Sequence, residues 1–190
     1  MTKTVQAAAP SASAAHPRPS GPRVKVRRSG VHGKGMFALR YIPAGEQIME
    51  YIGEIIDWPE ALRRHPHDPD DPHHTFYFSL EDGTVIDAAH GGNAARWINH
   101  SCDPNCEADE EDGRVFIKAL RDLRPGDELF YDYGLVIDDR YTPTLKRQYG
   151  CRCGATDCRG TMLAPKRAPS KAAKKAAKKA SKPKRAPPRG

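Results

Sequence analysis

Five cysteines are the side chains best suited to bind a metal in this 190-residue chain, and none precedes Cys102. Cys151, Cys153 and Cys158 lie within eight residues, among glycines that permit tight turns. Thiolates at this spacing can surround one tetrahedral Zn²⁺, whose fourth ligand could be either Cys102 or Cys106. An odd number of cysteines and no export signal argue against a disulfide framework. We therefore predict one structural zinc ion; the alternative is a cluster of reduced thiols without a metal.

Two tyrosines, Tyr131 and Tyr133, alternate along a predicted strand, so their rings share one face while Asp132 points the other way. Two phenols beside a bound cofactor could orient an amine, whereas the structural alternative is aromatic packing in the core. A second polar pair, Asn99 and His100, precedes an Asp-Pro turn. These two side chains either bind a ligand or cap the turn.

Gly30, Gly33 and Gly35 form a glycine-rich segment whose backbone could approach a ligand closely, because no Cβ intervenes. The spacing does not fit a phosphate-binding Walker loop, which needs four residues between its first glycine and Gly-Lys, followed by Ser or Thr. By itself the pattern is more typical of a turn than of a ligand site.

The part of the chain that must position these residues is acidic, unlike the two ends of the chain. The chain has a net charge of +7, but residues 23–163 hold 18 basic and all 24 acidic residues, a net charge of −6. Residues 164–190 hold 11 Lys or Arg and no acid. This division disfavours a uniformly basic nucleic-acid-binding domain. No apolar run approaches the roughly 18 residues of a membrane helix, and residues 1–22 lack the apolar core of a secretory signal.

The sequence predicts one mostly β domain, with a disordered leader at 1–22 and a disordered basic tail at 164–190. A short helix is predicted at 58–64, with Asp57 as its N-cap and Pro59 at its first helical position. A helical turn is expected at 94–98. The His- and Asp-rich loop 65–74 fits no metal template and is expected instead to contact a basic peptide. Strands are predicted at 24–26, 48–56, 75–80, 84–86, 114–119 and 128–133.

Four segments occur together in the order and spacing of one protein family: 29–38, 93–106, 126–134 and 151–160. On these motifs, residues 23–163 resemble the SET-domain protein lysine methyltransferases that carry a cysteine-rich post-SET segment. No pre-SET cysteine cluster precedes residue 29. The resemblance implies a SET fold of several small curved β-sheets, short helices and a knot-like C-terminal segment at 23–146, with a zinc-binding post-SET segment at 147–163.

The resemblance also implies roles for individual residues. Tyr133 is expected to be catalytic, and the hydroxyl of Tyr131 is expected to restrict the product to mono-methylation, with di-methylation as the alternative. Arg96 either binds the cofactor or pairs with an acid. The S-adenosylmethionine site is implied at Lys34, Gly35, Met36, Phe37, Arg96, Asn99 and His100. The zinc ligands are implied at Cys102, Cys151, Cys153 and Cys158, which leaves Cys106 as a free thiol.

The substrate channel is expected to be lined by Phe76, Tyr77, Phe78 and Trp97. Many family members place a tyrosine 11 residues before the aspartate that is Asp87 here, and this chain has Phe76 at that position. Either Tyr77 takes the role, or Phe76 lines the channel without a hydroxyl, because a shift of one residue moves a strand side chain to the other face.

The resemblance implies an S-adenosylmethionine-dependent enzyme that methylates lysine in a histone or histone-like protein, and an acidic domain would attract such a basic substrate. The alternative is a catalytically weak module that recruits partners or DNA. The tail contains a lysine repeat at 171–180 that binds DNA, is itself a substrate, or only solubilises the chain. We expect an intracellular monomer at a nucleoid or chromatin, without a membrane partner; secretion as an effector stays open.

Overall fold

The computed structural model describes residues 21–65 and 75–166. The predictions for the leader up to residue 20, for the loop 66–74 and for the tail from residue 167 lie outside these described residues. Neither α-helix in the described part of the chain has the length and apolar character that a membrane span requires.

The described fold is mostly β, as predicted, and consists of ten short strands with little helix. The strands make four small sheets: β1–β2, β3–β9–β8 and β4–β6–β5 are antiparallel, whereas β7 and β10 pair in parallel. In chain order the elements are β1 (Val24–Arg28), β2 (Lys34–Ala38), β3 (Gln47–Tyr51), β4 (Glu54–Ile56), α1 (Trp58–Arg64), β5 (Tyr77–Ser79), β6 (Val85–Asp87), a 3₁₀ helix (Ala94–Trp97), β7 (Asn99–His100), β8 (Cys106–Glu111), β9 (Arg114–Ala119), β10 (Phe130–Tyr131) and α2 (Pro143–Gln148).

Helix α1 begins where the sequence predicts. The Asp57 carboxylate accepts a hydrogen bond from the Glu60 backbone N–H at 2.9 Å, and Pro59 occupies the first turn. At the other end, Arg64 donates to the fully buried carboxylate of Asp87 at 2.9 Å. Because an unpaired buried carboxylate would be costly, this ion pair fixes the helix against strand β6.

The predicted strand 48–56 is in fact two strands, β3 and β4, which belong to different sheets. Gly53 lies between them, and a Cβ at this position would lie 2.6 Å from the backbone oxygen of Asp87. The chain therefore needs a glycine where it passes from one sheet to the next.

The C-terminal part of the domain interlocks with the segment around β7. Strand β10 is only two residues long, shorter than the predicted strand 128–133, and pairs with β7 on one side. Strand β10 also bonds to the segment after β7: the Phe130 backbone N–H donates to the side-chain oxygen of Asn105 at 2.8 Å. The backbone N–H of Asn105 in turn donates to the Phe130 carbonyl at 3.2 Å. This interlocked arrangement corresponds to the predicted knot-like segment and brings residues 99–106 beside residues 128–133.

Candidate functional site

A pocket opens where the β1–β2 loop, the segment before β5, the 3₁₀ helix and the segment after β10 meet. Its aromatic wall is formed by Phe76 and Trp97, whose rings meet edge to face with centres 5.1 Å apart. The ammonium of Lys34 lies 4.5 Å from the centre of the Trp97 ring, a cation–π contact that holds this side chain at the edge of the wall. The residues that line the pocket are His32, Gly33, Lys34, Thr75, Phe76, Arg96, Trp97, Asn99 and Tyr133.

Arg96 offers this pocket an unused hydrogen-bond donor. Its guanidinium donates to the backbone carbonyl of Ala88 at 3.0 Å and lies over the rings of Phe76 and Trp97. Its Nε is buried and has no hydrogen-bond partner within the described residues. Within the described residues the guanidinium thus bonds to a carbonyl rather than to an acid, and an anionic group of a ligand could satisfy the orphaned Nε.

Asn99 holds the glycine-rich loop in place. Its side-chain nitrogen donates to the Lys34 carbonyl at 2.9 Å and to the Glu128 carboxylate at 3.0 Å. A Cβ at Gly35 would overlap that same carboxylate, so only glycine lets Glu128 come this close. The sequence carried no signal for Glu128, because its role depends on the folding of distant segments onto one another.

The other two predicted cofactor residues of this segment lie farther along β2. Met36 is fully buried in the core, and its carbonyl accepts the backbone N–H of Leu129 at 2.7 Å. Phe37 is half-buried beneath the guanidinium of Arg27. Neither residue lines the pocket, whereas Lys34 does and Gly35 directly follows it.

His100 connects Tyr133 with the cysteines. Burial lowers the pKa of its ring, so the imidazole is neutral near pH 7. Its Nδ1 accepts the Tyr133 backbone N–H at 3.1 Å, which places the single ring proton on Nε2. Nε2 lies 3.4 Å from Cys102 Sγ and can donate to it.

The half-buried Tyr133 lines the pocket and packs against a core cluster that contains the buried Tyr51 and Tyr131. The rings of Tyr131 and Tyr133 lie together as expected, with centres 4.9 Å apart, although Tyr133 lies beyond the end of β10. The hydroxyl of Tyr133 donates to the Ile98 carbonyl at 2.9 Å, and that of Tyr51 donates to the Phe76 carbonyl at 3.0 Å. Desolvation raises the pKa of all three tyrosines well above the ordinary value, so each is a neutral phenol.

Tyr51 was not identified from the sequence. It lies on β3 among apolar residues, a pattern that predicts only a core residue. Its closeness to Tyr131 and Tyr133 comes from the packing of β3 against the C-terminal segment, which no local pattern reveals.

Four cysteines lie together as metal ligands would. The sulfur atoms of Cys102, Cys151, Cys153 and Cys158 all lie within 4.8 Å of one another. Cys102 Sγ is 3.8 Å from Cys151 Sγ and 3.9 Å from Cys158 Sγ. A tetrahedral Zn²⁺ with Zn–S bonds of about 2.3 Å requires sulfur separations of about 3.8 Å. The cluster therefore fits zinc, and Cys102 is its fourth member.

Cys106 lies apart from the cluster. It is fully buried in the hydrophobic core, and this burial raises the pKa of its thiol to about 12. It is an inert thiol in the core rather than a metal ligand.

A second connection joins the cysteine cluster to the tyrosines. The guanidinium of Arg159 donates to both oxygens of the Asp132 carboxylate, at 2.7 and 2.8 Å. Its backbone N–H donates to Cys102 Sγ at 3.4 Å. Because Asp132 lies between Tyr131 and Tyr133, the cluster holds this segment both through Arg159 and through His100.

Of the four predicted channel residues, Trp97 belongs to the 3₁₀ helix and lines the pocket, and the other three are divided between two faces of the β4–β6–β5 sheet. Phe76 lines the pocket, and Phe78 packs against Tyr51 with ring centres 5.7 Å apart. The ring of Tyr77 packs on the other face, against Ile56, Ala61 and Val85, and its hydroxyl donates to the Ala61 carbonyl at 3.1 Å. Tyr77 thus lies outside the pocket, and Phe76 lines it without a hydroxyl.

Comparison with known proteins gives consistent results. The profile of the SET domain matches residues 33–134. The trithorax histone-lysine N-methyltransferase of Drosophila virilis is 38% identical over 140 residues, which cover 72% of this chain and 4% of that protein. Human histone-lysine N-methyltransferase 2B is 39% identical over 140 residues, which cover 72% and 5%.

A solved structure agrees with these sequence matches. It is the Chaetomium thermophilum polycomb repressive complex 2, which matches with a TM-score of 0.56 and 31% identity over 63% of this chain and 16% of that chain. A further structure of this kind, described as autoinhibited and bound to S-adenosylmethionine, matches equally well. This chain spans only a small part of the length of each of these relatives.

Proposed function

The chain belongs to the SET-domain family, and from this premise we propose that it transfers methyl groups from S-adenosylmethionine to lysine side chains of a histone or histone-like protein. The observation that carries the proposal is the pair of adjacent phenols at Tyr131 and Tyr133, of which Tyr131 is buried and Tyr133 is half-buried and lines the pocket. The names of the relatives, all histone-lysine N-methyltransferases, support the same activity.

The reaction requires a neutral lysine amine. An ordinary lysine has a pKa of about 10.4, so its deprotonation near pH 7 costs roughly 4–5 kcal/mol. Apolar surroundings such as Phe76 and Trp97 disfavour the ammonium and supply part of that shift. Tyr133 is a neutral phenol and therefore orients the amine rather than deprotonating it. The lysine proton leaves to solvent.

The pocket suits the proposed methyl donor, which supplies an electrophilic methyl group on a positively charged sulfur. Arg96 would bind its carboxylate through the orphaned Nε, and the backbone at Gly33 and Lys34 would bind its polar groups. Asn99 and His100 would act mainly by holding the loop and Tyr133, because their hydrogen bonds go to those segments.

The proposal also assigns a role to each part of the chain. Residues 23–146 form the catalytic domain, and residues 147–163 bind one structural zinc ion and close the domain beside Tyr133. The −6 charge of residues 23–163 supports a basic substrate, and the names of the relatives support histones. We place the protein at chromatin or a nucleoid, as an intracellular monomer, with non-specific DNA contact through the tail 164–190.

The proposal is tested by incubating the protein with S-adenosylmethionine labelled in its methyl group and with a panel of histones and other basic proteins. We expect labelled lysine in at least one basic protein and no labelling of an acidic control protein. Binding of S-adenosylmethionine without any labelled lysine would contradict the proposal and would favour a catalytically weak module that recruits partners.

Replacing Tyr131 with Phe is expected to raise the number of methyl groups per lysine. Within the described residues no hydrogen-bond partner occupies the Tyr131 hydroxyl, whereas those of Tyr51 and Tyr133 bond to backbone carbonyls. A free hydroxyl can bond the amine and leaves less room for a methylated amine. Mass spectrometry should find mainly mono-methylation in the wild type and di- or tri-methylation in the variant. An unchanged product distribution would refute this role.

A further inference from the structure

The basic tail leaves the domain close to the pocket. Leu163 is buried and pairs in parallel with Leu135, and the Ala164 backbone N–H donates to the Leu135 carbonyl at 2.8 Å. Leu135 follows Tyr133, a pocket residue, by only two positions. With about 3.8 Å between successive Cα atoms and about 5 Å between paired strands, Ala164 lies within about 13 Å of Tyr133.

The lysines of the tail can span this distance. Lys171 follows Ala164 by seven residues, which extend to about 23 Å. Each later lysine of the repeat has a longer tether. A lysine held by so short a tether has an effective concentration on the order of millimolar at a neighbouring site. At this effective concentration a tail lysine would meet the pocket more often than would a separate protein at micromolar concentration.

The charges around the start of the tail also favour a position of the tail against the domain. Lys166, the last described residue, donates to the Asp139 carbonyl at 2.6 Å, and its ammonium lies 4.5 Å from the centre of the Tyr141 ring. The side chains of Asp138 and Asp139 are exposed beside it. These contacts hold the start of a tail with 11 basic residues and no acid against a domain of net charge −6.

We propose that the protein methylates lysines of its own tail, within the repeat 171–179, in an intramolecular reaction. This inference rests on the proposed methyltransferase function and extends it to a substrate carried by the same chain. The neutral lysine Nζ forms the new N–CH₃ bond as the S–CH₃ bond breaks, the sulfur keeps that bonding pair, and the lysine proton goes to solvent. S-adenosylhomocysteine is the second product, and the methylated lysine keeps its positive charge.

The main experiment incubates the full chain with labelled S-adenosylmethionine, with and without a histone. Peptide mass spectrometry should locate methyl groups on the tail lysines. The rate constant should stay the same over roughly a hundredfold range of chain concentration, as an intramolecular reaction requires. A control variant with arginine at the five positions 171, 174, 175, 178 and 179 keeps the tail charge, and it should lose the self-label while still labelling the histone.

The outcomes separate this inference from the function on which it rests. A labelled histone with an unlabelled tail would overturn the inference and leave the methyltransferase function intact. DNA binding by such an unlabelled tail would instead assign the tail to nucleic acid. An apparent first-order rate constant of self-labelling that rises in proportion to chain concentration would overturn the intramolecular form. If neither histone nor tail is labelled, the methyltransferase function fails and the inference fails with it.

A second measurement is independent of turnover. A carbodiimide joins lysine amines to carboxylates that lie in contact, so the protein without S-adenosylmethionine can be cross-linked at low salt. We expect intramolecular links from the tail repeat to acids near its exit, such as Asp138 and Asp139. Links found only to the acidic hairpin at 107–112, and none to Asp138 or Asp139, would contradict a tail held beside its exit.

Discussion

Replacing Tyr133 with Phe is expected to lower the rate of methyl transfer by on the order of 10²-fold or more, while the affinity for S-adenosylmethionine stays close to that of the wild type. Tyr133 lines the pocket, and its hydroxyl donates to the Ile98 carbonyl, so the hydroxyl is held at a fixed place. A fixed hydroxyl contributes to in-line alignment of the amine, and such alignment is realised mainly in the transition state. A 10²-fold loss corresponds to about 2.7 kcal/mol.

The ring of Tyr133 should stay in place in this variant. It packs against Tyr131 and against His100, with ring centres 4.9 and 5.3 Å apart, and neither contact needs the hydroxyl. The measurement is single-turnover labelling of a basic protein, with the affinity for S-adenosylmethionine measured separately by calorimetry. A rate within a few-fold of the wild type would refute the catalytic assignment.

Tyr77→Phe is the matched control. Its hydroxyl also donates to a backbone carbonyl, that of Ala61, but on the other face of the sheet. The two variants therefore remove the same atom and the same kind of hydrogen bond. If Tyr77→Phe lost as much activity as Tyr133→Phe, general destabilisation rather than chemistry would explain both.

The sequence was a good guide where local patterns decide the structure. Helix α1 has its N-cap at Asp57, and β9 occupies the predicted residues 114–119, because capping and alternation act within a few residues. Strand β8 was missed, since Cys106–Glu111 is rich in acids that disfavour strands. Its pairing with β9 offsets this, and Lys118 of β9 forms ion pairs with Asp109 and Glu111. Stabilising contacts between strands cannot be recognised from the sequence of one strand alone.

The functional site, too, could be predicted only where its residues lie close together along the chain. The motifs located the tyrosines, Asn99, His100 and the cysteines, because each motif keeps its residues close along the chain. Two further residues of the site were not predicted. The positions of Glu128 near Gly35 and of Tyr51 near Tyr131 result from contacts between segments far apart in sequence. The choice between Phe76 and Tyr77 required the strand register, which pairs Tyr77 with Asp87 and turns Tyr77 away from the pocket.

Removal of the metal is expected to abolish methyl transfer and to lower the melting temperature. Four thiolates within 4.8 Å repel one another unless a cation neutralises them, and a structural Zn²⁺ contributes on the order of 10 kcal/mol in small domains. A strong chelator, or Cys151→Ser, should therefore release zinc and open the segment 147–163. Elemental analysis should find one zinc per chain in the wild type and less in the variant.

Cys106→Ala is the matched control for this prediction. It also removes a thiol, but one that lies in the core and outside the cluster, so the zinc content should stay at one per chain. Some loss of stability is expected from the lost packing. Loss of zinc from Cys106→Ala, or full zinc in Cys151→Ser, would contradict the assignment of the ligands.

The effect on methyl transfer follows from the contacts that the cluster makes. Cys102 Sγ accepts the Arg159 backbone N–H, and the Arg159 guanidinium holds Asp132, the residue between the two tyrosines. Cys102 also lies within reach of His100, whose other nitrogen accepts the Tyr133 backbone N–H. Without the metal these thiols reprotonate and separate, and both connections to Tyr133 loosen. An enzyme that kept full activity after losing zinc would show that Tyr133 is positioned without the cluster.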